Sequence, residues 1–194
     1  MSTHTKTQKT VIIAVLSAVI AVVSFILVKT LGLEITLSMV PVAVGAICFS
    51  PSVGAILGGV FGLVSFLQCF GYSAFGALLL NENFIYTFLV CVPTRILAGF
   101  LAGVIAKALK NTKDVGLITA SLAAPILNTA FFMAAIVLLF YKSAPIQDFV
   151  GLLGATNPFM FIILFVGINA VAEIFVGCIL AYPISKALKK YLKI

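Results

Sequence analysis

The sequence predicts an all-α fold, a six-helix transmembrane bundle with both termini cytoplasmic, and three observations predict it. Hydrophobic residues make up 63% of the 194-residue chain, against about 45–50% in soluble domains. Charged residues make up only 9%, too few to cover the surface of a soluble protein. The apolar residues fall into six runs, and the lysines gather in the stretches that would share one side of a membrane. This composition excludes a disordered chain, a nucleic-acid-binding domain and an ordinary cytosolic enzyme.

The first run, Val11–Val28, follows a polar, weakly basic stretch, Met1–Thr10. No small-residue cleavage site follows it, so it reads as a retained helix. The second, Leu37–Phe49, is ended by Ser50 and Pro51. It is too short to cross roughly 30 Å of hydrocarbon unless tilted or held within protein, which suggests a cavity above it. The third, Val53–Phe70, carries Gly54, Gly58 and Gly62 at four-residue spacing. The fourth, Phe84–Leu109, carries Gly99 and Gly103 with Ala98, Ala102 and Ala106. Such small-residue faces let helices approach closely, and internal packing is the reading for both. The fifth and sixth runs are Val115–Phe140 and Pro158–Leu188. The expected organisation is a single membrane domain over 1–194: a tail at 1–10, the bundle at 11–188 and a basic tail at 189–194.

Orientation follows from the cations. Six crossings place Lys6, Lys9, Lys107, Lys110, Lys113, Lys186, Lys189, Lys190 and Lys193 on one side, and only Lys29 and Lys142 on the other. The positive-inside rule makes the first side cytoplasmic. The net charge of +7 is then a match to anionic membrane lipid, since no basic stripe with interleaved aromatics points to nucleic acid. The stretches Lys29–Ser38, Gly71–Asn83 and Tyr141–Asn157 become outside loops, long enough to form a lid over an outward-facing pocket.

Chemistry is bounded by absence. The sequence holds no P-loop, no H-E-x-x-H and no G-x-S-x-G, and its one histidine, His4, lies in the polar tail. Asp114 and Asp148 fall in loops. Neither an enzyme nor a metal or cofactor site is expected. Cys48, Cys69, Cys91 and Cys178 lack metal or redox spacing and read as packing residues.

Two ionisable residues lie inside helices, Arg95 and Glu173. At 1.5 Å per residue they sit roughly 17 and 22 Å below the starts of their helices, close enough for long side chains to meet. They are a structural ion pair, or Arg95 receives an anionic group of a substrate that Glu173 helps to position. Asn128 lies midway along the fifth run, and Asn169 one turn before Glu173 on the same face. Either amide serves interhelical hydrogen bonding or a polar ligand. Gln68, Tyr72, Asn81 and Tyr86, with Asn83, lie where the third and fourth runs meet the loop Gly71–Asn83 and would form a pocket mouth.

With its size, six runs, basic termini, A-x-x-x-A at Ala14 and Ala18, and the glycine-rich "FSPSVGAILGGVFGLVS", the chain resembles the substrate-binding S component of an energy-coupling factor (ECF) vitamin transporter. The resemblance covers nearly the whole chain. It implies capture of a vitamin outside the cell, no covalent chemistry, and association with a transmembrane coupling subunit and two ATPases. It implies that Ala14 and Ala18 face the coupling subunit, with the pocket between the fourth to sixth helices and the outside loops. The stretches "NENFIYTFLVCVPTRILAGFLAGVIAKALK", "APILNTAFFM" and "GATNPFMF" look like the pantothenate branch. Riboflavin, folate and vitamin B6 are the alternatives, as is a membrane scaffold protein that transports nothing.

Overall fold

The computed structural model describes residues 3–25, 28–30, 33–35, 37–112 and 114–192. Lys113 and Lys193 lie outside the described residues, as do the side chains of Lys6, Lys29 and Asn169. The helices are α1 (Thr3–Ser24), α2 (Met39–Cys48), α3 (Pro51–Gln68), α4 (Ala74–Glu82), α5 (Phe84–Ala108), α6 (Asp114–Phe140), α7 (Ala144–Leu152) and α8 (Pro158–Leu192). Among the described residues, five helices are long and apolar enough to cross a membrane, with spans Thr7–Ser24, Pro51–Gln68, Phe84–Ala108, Asp114–Phe140 and Ala170–Leu192.

Several expected boundaries are corrected. The first run ends at Ser24, and Val28–Thr30 pairs antiparallel with Leu33–Ile35 in a two-stranded hairpin, β1 and β2. Val28, Thr30 and Ile35 are β-branched, which favours the extended backbone. The stretches Gly71–Asn83 and Tyr141–Asn157 are not plain loops, for they hold α4 and α7. The local signals are short. Ser73 caps α4 by accepting from the Gly76 N–H at 3.2 Å, and Pro145 stands in the first turn of α7, where its missing N–H costs nothing. Helix also extends back to Thr3 and on to Leu192, so the expected tails are largely continuations of α1 and α8.

The expected six crossing runs become five long helices and one short internal one. α2 has 10 residues, every one buried. A helix apolar on all sides needs protein on all sides, and α1, α3, α5, α6 and α8 supply it. Val42, Ala43, Val44 and Ala46 fill the centre of the principal core, with Ile20 of α1, Leu57 and Phe61 of α3, Ala98 and Ala102 of α5, Ala120 and Ala124 of α6, and Ala181 of α8.

The tightest seam joins α3 to α5. A Cβ at Gly54 would collide with the Gly99 carbonyl, one at Gly58 with the Arg95 carbonyl, and one at Gly62 with Cys91 and Val92. As numbers rise along α3 they fall along α5, so the two helices are antiparallel. The glycine faces do pack internally, as the spacing predicts. At the end where α3 hands over to α4, a second core joins Phe75 and Leu79 of α4, Met133, Ile136 and Phe140 of α6, Ile146 and Val150 of α7, and Phe161 and Phe165 of α8. Phe75, Phe149 and Phe165 contact one another with ring centroids 5.1–5.8 Å apart. α4 and α7 therefore close one end of the bundle. At the opposite, basic end Lys186 of α8 reaches Asp114 of α6 at 2.8 Å, an exposed pair worth little by itself.

Gly58→Ala is expected to lower thermal stability by about 1–3 kcal/mol, because its methyl group meets backbone that must move. Gly151→Ala, where nothing lies within 4 Å, is expected to leave the melting temperature unchanged. Thermal unfolding of the two variants in one detergent checks the contrast.

Candidate functional site

The seam that presses Gly58 onto the Arg95 backbone fixes where the Arg95 side chain begins. It leaves α5 among buried residues and is itself 7% exposed. Long side chains on a helix lean toward its N-terminus. Arg95 does so, and its Nη1 donates to the Cys91 carbonyl at 2.9 Å and more weakly to that of Val90 at 3.4 Å. Pro93 lies in this turn and has no N–H to donate.

Aromatic rings flank the guanidinium. Its central carbon lies 4.7 Å from the ring centroid of Phe61 on α3 and 5.2 Å from that of Phe132 on α6. Both contacts fall in the range for cation–π attraction, and desolvation strengthens it. Among the described residues, Arg95 Nε is buried and has no hydrogen-bond partner. One turn before Phe132, on the same face of α6, Asn128 is also buried and its Oδ1 has no partner among the described residues. The half-buried Glu173 of α8 lies close enough for its charge to act on the guanidinium. A cation, an amide and a carboxylate from three helices thus share one region of the bundle core.

The remaining candidates are placed differently. The Asn169 side chain lies outside the described residues, and its backbone sits one turn before Glu173. Gln68 is buried, and its Nε2 donates to the Ser24 carbonyl at the end of α1. The Ser24 hydroxyl in turn meets that of Ser38 at 2.7 Å, so Gln68 belongs to a polar knot that ties α1 and α3 beside the start of α2. Tyr72 is exposed and stands edge-on to Phe25. Asn81 is exposed on α4. Tyr86 is exposed at the start of α5, with its ring edge-on to Phe140 at 5.9 Å. Its backbone N–H is taken by the Asn83 side chain, the cap of α5. Tyr72, Asn81 and Tyr86 lie at the closed end of the bundle, apart from the guanidinium. Ala14 and Ala18 are exposed on α1, in line with Val11, Val15 and Val22.

Phe61 and Phe132 are the site residues that sequence reasoning misses. A signal exists for each: Phe61 lies beside Gly62 within the glycine motif, and Phe132 stands one helical turn after Asn128. In a chain with 17 phenylalanines neither signal stands out.

The long apolar helices define a multi-pass membrane protein. The sequence profile of the family described as ECF transporter, substrate-specific component, matches residues 8–185, and the chain belongs to that family. Members of this family are transport proteins that bind vitamin substrates and work with an ECF module. No curated protein matches the chain.

An unpartnered acceptor costs about 1–3 kcal/mol when buried. Asn128→Leu is therefore expected to raise the melting temperature of the protein, which differential scanning fluorimetry checks.

Proposed function

We propose that this protein is the high-affinity substrate-binding subunit for pantothenate. The observation that carries the reading is a pair of buried atoms without a partner among the described residues, Arg95 Nε and Asn128 Oδ1, in a core where water is scarce and an unmet polar group is expensive. A ligand with one carboxylate and several hydroxyl and amide groups meets both needs. The carboxylate accepts from the planar Arg95 fork. Asn128, Asn169 and Glu173 take the hydroxyl and amide groups. Both termini and the lysine-rich end face the cytoplasm, and the end closed by α4 and α7 faces outside. The segment Gly71–Asn83 is the gate, with Tyr72, Asn81 and Tyr86 at its rim. Gln68 holds the pocket mouth in shape through α1.

Ala14 and Ala18 on α1 form the surface for the transmembrane coupling subunit, whose two ATPases supply the energy. Their exposure beside exposed valines supports this, since small residues let a partner helix approach closely.

The hydrogen bonds from Arg95 to its own helix and the charge of Glu173 nearby favour a second reading, in which the two residues only brace α5 against α8. Titration calorimetry separates the readings. The wild type is expected to bind pantothenate one to one, and Arg95→Ala to bind about a hundredfold more weakly, as the loss of a charge-assisted pair predicts. Tight binding of riboflavin, folate or a vitamin B6 compound instead would keep the transport role and replace the substrate. No binding to a folded wild type would leave the bracing role.

A separate expectation concerns the partner. Ala14→Trp and Ala18→Trp should keep wild-type affinity in detergent and abolish vitamin uptake by cells that carry the ECF module. Uptake at the wild-type rate would remove α1 as the docking surface.

A further inference from the structure

Two cysteines occupy the loop end of the α3–α5 seam. Cys69 caps the C-terminus of α3, and Cys91 lies one turn before Arg95 on α5. Both are buried, and their Sγ atoms stand 3.9 Å apart. They form a small core with Phe66 and Val92, edged by Leu80 of α4 and Ile96 of α5. The Cys69 thiol also donates to the Ser65 carbonyl of α3 at 3.3 Å.

α4 covers this pair. A Cβ at Gly76, in the first turn of α4, would stand 2.6 Å from Cys69 Sγ, so only a glycine lets the turn lie so close to the sulfur. The connection between α3 and α4 passes through Gly71 at φ 130°, a conformation that glycine alone adopts freely. Cys69 therefore sits at the root of the α4 segment, and Cys91 sits on the helix that carries Arg95.

A disulfide needs the two sulfurs at about 2.05 Å. Rotation about the Cα–Cβ bonds moves a sulfur by more than the gap that remains. We propose that Cys69 and Cys91 are a modification site, a dithiol that closes to an intramolecular disulfide by exchange with a small disulfide and fastens the root of α4 to α5. In the first step the Cys69 thiolate attacks one sulfur of the reagent, forming a mixed disulfide and expelling one thiolate. In the second, the Cys91 thiolate attacks the Cys69 sulfur, the protein S–S bond forms and the second thiolate leaves. The protein loses two protons and two electrons, and the reagent gains them as it becomes two thiols. The apolar surroundings select a neutral reagent that partitions into membranes, because charged disulfides stay in water.

The test uses the full-length protein in lipid nanodiscs and dipyridyl disulfide as the neutral reagent, followed by maleimide capping, digestion and mass spectrometry. The expected product is a peptide pair joined through Cys69 and Cys91, two hydrogen atoms lighter, with no pyridyl group on either residue. Cys91→Ser is expected to leave a stable pyridyl adduct on Cys69, since the resolving thiol is gone. Stable pyridyl adducts on both residues of the wild type would overturn the proposal. So would reaction of both residues with maleimide alone, or a disulfide formed with Cys48 or Cys178 instead.

Discussion

The rest of the molecule depends on how closely α3 and α5 approach. Gly54, Gly58 and Gly62 leave no side chain between the two backbones, and Gly99 returns the same courtesy from α5. In lipid, apolar surface alone gives helices little reason to associate, so close van der Waals contact along such a seam carries much of the association. It also sets a position to within a fraction of a residue. Because Gly58 rests on the Arg95 carbonyl, the guanidinium projects from a fixed point toward Phe61 and Phe132. A looser seam would let the charge wander.

The site built on that seam is held at a cost. Aromatic faces soften the burial of a cation, and carbonyls of its own helix take one nitrogen, yet Nε and the oxygen of Asn128 have no partner among the described residues. Apolar residues at the same positions would make a more stable empty bundle. The cost lies on α5 and α6, whose prolines Pro93 and Pro125 each leave a backbone carbonyl without its usual intrahelical donor.

Composition and the spacing of apolar runs made the membrane class and most of the helices legible, because roughly twenty apolar residues in a row have few other uses. Arg95 and Asn128 stand out in the sequence for the same reason, since a polar group inside an apolar run needs an explanation. The helices inside the loops were harder to see. α4 and α7 have nine residues each, too few for a periodic pattern to show, and only Ser73 and Pro145 announce them. Gln68 is a different case. One donor of its side-chain amide is taken by the last turn of α1, a partner distant in sequence that no local pattern reveals. The flanking rings of Arg95 have the same origin: Phe61 and Phe132 come together only after three helices have packed.

The wholly buried α2 has a consequence for how the chain is made. Ten residues of helix are about 15 Å long, half the hydrocarbon thickness. A helix that short cannot reach both membrane surfaces, and a terminal backbone group left at depth has to find its partner within protein. The helices that surround it are mostly synthesised after it, with α3, α5, α6 and α8 all following in the chain. α2 therefore gains most of its packing only as those later helices are made.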